Sequence, residues 1–501
     1  MIEAFSLAIN YMVSHPISFV FLIFSVVWGI AFGSVPGLTG IVGVALLIPF
    51  TFVFDPIEGL LLLSGVYVGS TFGGSISAIL FNTPGSPEAA CTALEGYPMA
   101  KRGEAGKALG LALASSAIGG IFGTIVLALM APALARVALS FGPAEYFALA
   151  VLGITAIASI GSKSTTKGLL AGLMGLILAT VGLDPISGTT RFTFGNTMLL
   201  TGISFVPAII GIFALAEVLQ RFSEPFREGH GVDGKEKVST QLPTLREYLQ
   251  LKFTLLRSSI IGTIVGALPG VGATTASFIS YSEAVRWSDK SKKFGTGVPE
   301  GLAAPESANN AAVGGSMIPL LALGIPGSAT TAVMLGGLTI HGIVPGPLMM
   351  VQNKELVYSV FIGMLLANIL MLVFGLRAAR LFAKVLDMPY ALVGPAIVVM
   401  CMTGVYALNN NAADIAVMLA FGAFGFALRE LGYPIAPLII GLVLGPVAEE
   451  SLRQGLLIVD YDFWAMVSRP IAGTILTFSL LSLGYGFYGQ FQAWRAERRL
   501  A

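Results

Sequence analysis

Hydrophobic positions in this chain come in long runs rather than in alternation. Runs near 17–35, 38–54, 58–82, 105–134, 143–161, 168–183 and 197–219 precede a polar stretch, 221–256. Further runs lie near 257–285, 305–325, 328–344, 355–376, 389–408, 413–428, 433–447 and 466–490. A bilayer-spanning helix needs about 20 apolar residues, so the longer runs predict spans. Others are too short or too interrupted to cross alone. Residues 1–16 hold no Lys or Arg. They lack the basic start of a cleavable signal, and the run from Ile17 is expected to stay as a transmembrane element.

Composition narrows the class. Hydrophobic residues make up 55% and charged residues 11% of 501, and mean hydropathy is +0.84. Soluble domains carry about 25% charged residues, so the chain reads as an all-α polytopic membrane protein. A net charge of +1 offers no bulk attraction for nucleic acid. Cys91 and Cys401 lie in apolar runs, and His15, His230 and His341 are scattered. Neither a disulfide framework nor a zinc site is expected, and no cofactor is implied, while the unwound carbonyls of broken helices could coordinate Na⁺.

Basic residues cluster, and positive charge in short loops marks the cytoplasmic side. The clusters are Lys101, Arg102 and Lys107; Lys163 and Lys167; the polar stretch from Arg221 to Arg257; Arg286 to Lys293; Arg377, Arg380 and Lys384; and Arg495 to Arg499. Placing all of them inside puts the N-terminus outside and the C-terminus inside. Segment 257–285 then enters and leaves on one side, a hairpin broken at Pro269-Gly270, and 305–354 makes one net crossing.

An internal repeat fits this map. Gly33-Ser34-Val35-Pro36-Gly37 resembles Gly266-Ala267-Leu268-Pro269-Gly270 at an offset of 233. Gly73-Gly74-Ser75 matches Gly314-Gly315-Ser316, and Pro84-Gly85-Ser86 matches Pro326-Gly327-Ser328, at offsets near 242. Three matches in one order argue for duplication. The charge map runs equivalent helices in opposite directions. The expectation is two inverted-topology repeats with broken, re-entrant helical hairpins, an architecture of secondary transporters. The expected divisions are a first repeat over 1–220, a cytoplasmic linker over 221–256, a second repeat with extra helices over 257–490, and a basic tail over 491–501.

A broken helix exposes unpaired N–H groups whose partial positive charge attracts anions. Candidate substrate-binding residues are therefore Gly37, Thr39, Asn82, Thr83, Gly85, Ser86, Gly270, Thr274, Thr275, Gly327, Ser328 and Thr330. Proline kinks packed between helices would look the same in sequence. The two Pro-Gly-Ser turns are expected to hold the anion together, so bulk at Gly85 or Gly327 should block it. Glu306, Asn309 and Asn310 are candidates for coupling-ion binding or gating, because an ionisable group at membrane depth is a functional signal. Glu306 reads equally as an interfacial acid. Glu88 and Glu95 also follow the first turn. Arg191 either reaches an anion or pairs with Asp184, and the pairing is favoured. Tyr406, Asn409, Asn410, Asn411 and Asp414 read as an external loop and helix cap. There is no hydrolase, metalloprotease or P-loop pattern, so no enzyme is expected.

The runs Gly33–Gly40, Gly73–Ser86, Gly266–Gly272, Ala304–Asn310 and Gly324–Ser328 resemble the TctA family, the large membrane subunit of bacterial tripartite tricarboxylate transporters. The resemblance covers nearly the whole chain. It implies a multi-pass protein of the bacterial inner membrane, with a small membrane subunit and a periplasmic substrate-binding protein as partners. The function expected is secondary uptake of small carboxylates of the tri- or dicarboxylate class, coupled to Na⁺ or H⁺. A passive anion channel is the alternative.

Overall fold

The computed structural model describes residues 2–160, 164–184, 186–223, 240–385 and 390–500. Lys163, His230 and part of the expected linker, 224–239, lie outside the described residues.

Helices α1 (Ile2–Ser14) and α2 (Ile17–Ser34) lead to a first break, and α3 (Gly40–Thr51) follows it. Helix α4 (Pro56–Phe81) ends at a second break, after which α5 (Ala90–Met99) runs towards the long α6 (Ala105–Ala138). Next come α7 (Pro143–Ile160), α8 (Thr165–Ala179), a ribbon of β1 (Gly182–Leu183) and β2 (Thr190–Arg191), α9 (Phe205–Ile210) and α10 (Ala216–Ser223). The second half has α11 (Leu245–Ala267), a break, α12 (Gly272–Trp287), α13 (Pro299–Leu323), a break, α14 (Ala329–Ile340), α15 (Met349–Gln352) and α16 (Lys354–Val385). The chain continues through α17 (Tyr390–Asn409), α18 (Ala412–Glu430), α19 (Ile435–Ile458), α20 (Phe463–Val467) and α21 (Pro470–Leu500). Among the described residues, nine helical segments are long and apolar enough to cross a membrane.

Local chemistry sets the ends of the central helices. Asp55 caps α4 by accepting from Ile57 N–H at 2.9 Å, and Pro56 occupies the first turn where no donor is needed. Asn82 closes α4 in the left-handed region, with φ 53°, a conformation asparagine tolerates. Gly324 closes α13 in the same way, with φ 74°.

Helices α4 and α13 are the core of the molecule, buried along almost their whole length. They are gripped by bare backbone. A Cβ on Gly33 of α2 would lie 2.1 Å from Ser70 O of α4, and one on Gly266 of α11 would lie 2.5 Å from Ala312 O of α13. On its other side α13 meets α6, where a Cβ on Gly119 would lie 2.0 Å from Ser307 O. Small residues allow this approach, which maximises dispersion contact where no hydrophobic effect drives helices together.

Three expectations change. Helix α11 begins at Leu245, twelve residues before the run at 257, because Thr244 and Glu247 form a reciprocal capping box. Helix α1 forms where the apolar pattern placed no element, and α19 continues to Ile458, past the expected end at 447.

Arg191 does pair with Asp184, at 3.7 Å, but its closer partner is Glu449, at 2.6 Å. Asp184 is buried and accepts from Ile186 N–H at 2.8 Å, Ser187 N–H at 3.0 Å and Arg453 Nη1 at 2.8 Å. Asn411 caps α18, and Asp414 accepts from Ser204 and Asn409, the cap arrangement expected there. The Ser187 and Ile186 N–H groups, then Arg453, hold the Asp184 carboxyl well below the usual carboxylate range. A depressed pKa stabilises the fold above the unfolded value, about 3.9, and the contribution fades as pH falls towards the folded value. The Tm advantage of the wild type over Asp184→Asn should therefore be constant from neutral pH down to about pH 5 and shrink progressively in stronger acid. An advantage that already shrinks between pH 7 and 5 would contradict this assignment.

Candidate functional site

The four breaks assemble into two clasped pairs. In the first, Gly85 N–H donates to Gly74 O at 3.2 Å, and a Cβ on Gly85 would lie 2.0 Å from Gly33 O. In the second, Gly270 N–H donates to Gly327 O at 2.9 Å. There a Cβ on Gly327 would lie 2.8 Å from Gly266 O and 2.7 Å from Ser316 Cα.

Both pairs are stationed on α4. Tyr67, buried, has its hydroxyl 3.0 Å from Ser316 Oγ and 3.0 Å from Ser328 Oγ. The second pair meets α4 at the Tyr67 hydroxyl, and the first rests on the Gly74 carbonyl. The two α4 residues are seven positions apart, a backbone rise of about 10 Å.

The candidate residues divide by environment. Gly37, with φ +89°, is buried against Arg221, since a Cβ there would lie 1.9 Å from the guanidinium Nε. Thr39 stands at the N-cap of α3. Asn82 and Thr83 are exposed, and the Thr83 hydroxyl turns back to Phe81 O at 3.2 Å. Ser86 is buried, and its hydroxyl lies beside Glu88 without a well-formed hydrogen bond. Gly270, with φ +74°, is covered by the Ile157 side chain of α7. Thr274 and Thr275 are half-buried on the first turn of α12. Ser328 and Thr330 are buried, but the Ser328 hydroxyl is already engaged in a capping box with Thr331. Ser86 is thus the freer hydroxyl of the equivalent pair.

Glu306 is not a loop residue. It lies in the second turn of α13, fully buried. Its Oε1 accepts from Ser75 Oγ of α4 at 2.6 Å and from Thr92 Oγ1 of α5, and its Oε2 accepts from Ser116 Oγ of α6 at 2.7 Å. Asn309 Nδ2 stands 3.5 Å from Oε1 while its Oδ1 has no partner. Asn310 points away, towards Met371 of α16 at 3.6 Å. The three hydroxyls come from the first half of the chain and the carboxylate from the second.

Glu95 has a different task. Fully buried on α5, it accepts from Tyr281 Oη at 2.9 Å and from the N–H groups of Gly295, Gly297 and Val298 at 2.5, 2.6 and 2.8 Å. It ties the first half to the loop that leads into α13. Sequence reasoning missed Tyr67, Ser75, Thr92 and Ser116 as partners. The available signal was the density of hydroxyls inside the apolar run of α4, at Ser64, Ser70, Thr71, Ser75 and Ser77.

Broken helices clasped around two buried central helices, with nine helical segments long and apolar enough to cross a membrane among the described residues, define a multi-pass membrane protein. The profile described as "Tripartite tricarboxylate transporter TctA family" matches residues 19–440, and the chain belongs to that family. It is 40% identical over 465 residues to the "Uncharacterized 52.8 kDa protein in TAR-I ttuC' 3'region" of Agrobacterium vitis, covering 93% of this chain and 92% of that one. It is also 40% identical over 220 residues to the "Uncharacterized protein in TAR-II ttuC' 3'region" of the same organism, covering 44% of this chain and 91% of that one. No solved structure matches.

Proposed function

We propose that this chain is the large subunit of a cation-coupled importer of small tri- or dicarboxylates in a bacterial inner membrane. It works with a small membrane subunit and receives its substrate from a periplasmic binding protein. The observation that carries the reading is the pair of Pro-Gly-Ser turns that both pack on α4, one on Gly74 and one at the Tyr67 hydroxyl, each at the start of a new helical segment. The positive ends of these helical segments, the Ser86 hydroxyl and the Arg221 guanidinium beside Gly37 are suited to carboxylate oxygens. The family's name supports the substrate class and the partner subunits.

The reading includes an inverted repeat joining the two halves. It is supported by equivalent close approaches: Gly85 on Gly33 matches Gly327 on Gly266, at 2.0 and 2.8 Å from ideal Cβ to carbonyl oxygen. The N-terminus is outside and the C-terminus inside in this arrangement.

The test is uptake into proteoliposomes containing both membrane subunits, with the binding protein added outside. A labelled tricarboxylate should accumulate against its own gradient when an inward cation gradient is imposed. Equilibration without accumulation would instead describe a channel. Full-rate uptake without the binding protein would overturn the partner assignment.

A further inference from the structure

Glu306 poses a charge problem. Both of its oxygens are buried and receive hydrogen bonds only from neutral hydroxyls and a weak amide contact. Among the described residues, no Lys, Arg or His forms an ion pair with it. A carboxylate out of water without a counter-charge is costly. A second feature points to the same spot. Asn309 Oδ1 is fully buried without a partner, on an amide that already stands at the carboxylate. Turning that amide over, an assignment coordinates alone do not fix, aims its oxygen at Glu306.

We propose that the Glu306 carboxylate, Asn309 Oδ1 and the hydroxyl oxygens of Ser75, Thr92 and Ser116 form a binding site for a sodium ion. All five ligands are oxygen, the set preferred by hard cations and not by transition metals. One carboxylate balances one positive charge. Calcium sites gather more anionic ligands, and no cluster of three His, Cys, Asp or Glu occurs among the described residues. Each carboxylate oxygen lies within hydrogen-bond reach of at least one hydroxyl. Rotating the hydroxyl hydrogens outward offers lone pairs to a cation without moving a heavy atom far.

The placement gives the ion a use. Its ligands come from α4, α5, α6 and α13, so occupancy locks the central helices of both halves together. Ser75 adjoins Gly74, which holds the first Pro-Gly-Ser turn through Gly85 N–H. The ion's presence is thereby felt at the proposed anion site. This coupling role rests on the transport reading; the binding itself does not.

The experiment is thermal unfolding of the purified full chain in detergent at fixed pH and ionic strength, with NaCl replacing choline chloride or KCl. A ligand that binds only the folded state raises Tm saturably. The expected result is a saturable rise with Na⁺ and none with K⁺ or choline. Glu306→Gln, neutral and nearly isosteric, should fold and lose the response. Asn309→Ala should raise the half-saturating Na⁺ concentration about tenfold. If Glu306→Gln is not monodisperse, Ser116→Ala replaces it, also with an expected shift of about tenfold. A wild type indifferent to Na⁺, a Na⁺ response that survives Glu306→Gln, or an unshifted Ser116→Ala would overturn the site. Stabilisation that follows acid pH instead of Na⁺ and disappears in Glu306→Gln would make this a proton site and overturn the proposal. A Na⁺ response in Tm with uptake unaffected by Na⁺ would support the site and overturn its coupling role.

Discussion

Gly85→Val is expected to leave no monodisperse protein in detergent, rather than a folded protein that fails to transport. The sequence pattern suggested the second outcome, with bulk at Gly85 or Gly327 simply blocking a ligand. The packing argues otherwise. A Cβ on Gly85 would lie 2.0 Å from Gly33 O, 2.8 Å from Ser77 Oγ and 3.0 Å from Gly74 Cα. Two of those atoms are backbone in helices that are themselves pinned, so the clash cannot relax by a rotamer change. Overpacking a well-filled core costs about 1–3 kcal/mol, and displacing a helix breaks many contacts together. Gly327→Ala meets backbone at 2.7–2.8 Å and should be the milder lesion. The recovered fraction should therefore rank wild type, then Gly327→Ala, then Gly85→Ala, then Gly85→Val, by size-exclusion chromatography. Ser86→Ala is the cleaner probe of substrate binding. It gives up no well-formed protein hydrogen bond, so it should fold normally and raise the half-saturating substrate concentration about tenfold. Well-folded, transport-competent Gly85→Val would refute the packing account.

Glu95→Ala should release the loop before α13. Four donors converge on this carboxylate, and the N–H groups of Gly297 and Val298 are buried. Hydrogen bonds to a charged group contribute about 1.5–3 kcal/mol each, and a buried donor left unpaired costs about 1–3 kcal/mol. The total loss should be on the order of 4 kcal/mol or more, a large share of the usual stability of a domain. Glu95→Gln should be nearly as damaging, because its NH₂ would face donors where an acceptor is required. Lys290, Lys292 and Lys293 lie on the exposed part of this loop, so its release can be read as trypsin cleavage there. If Glu95→Ala stays monodisperse and as trypsin-resistant as the wild type, the clamp is not what orders the loop.

Much of the architecture was legible without coordinates, because the forces that write it are local. An apolar run long enough to span a bilayer is visible in one dimension, and Pro with Gly interrupts a helix wherever it stands. The breaks at Pro36-Gly37, Pro84-Gly85, Pro269-Gly270 and Pro326-Gly327 all separate helices in the fold. The start of α11 was missed although its capping box, Thr244 and Glu247, was in view, because the amphipathic residues from Leu245 lower the hydropathy of the run. Other features had no local signature. Ser75, Thr92 and Ser116 are 231, 214 and 190 residues from Glu306, and nothing in their own surroundings marks them as its partners. Whether Glu306 lay at an interface or in a cage depended on how α4, α5 and α6 pack against α13. Burial and hydrogen bonding between distant segments are properties of that packing. By itself the sequence determined that helices cross, where they break and which residues are small enough to let them touch. Only the tertiary structure decided which broken ends meet on α4, and that Glu306 stands caged where α4, α5, α6 and α13 meet.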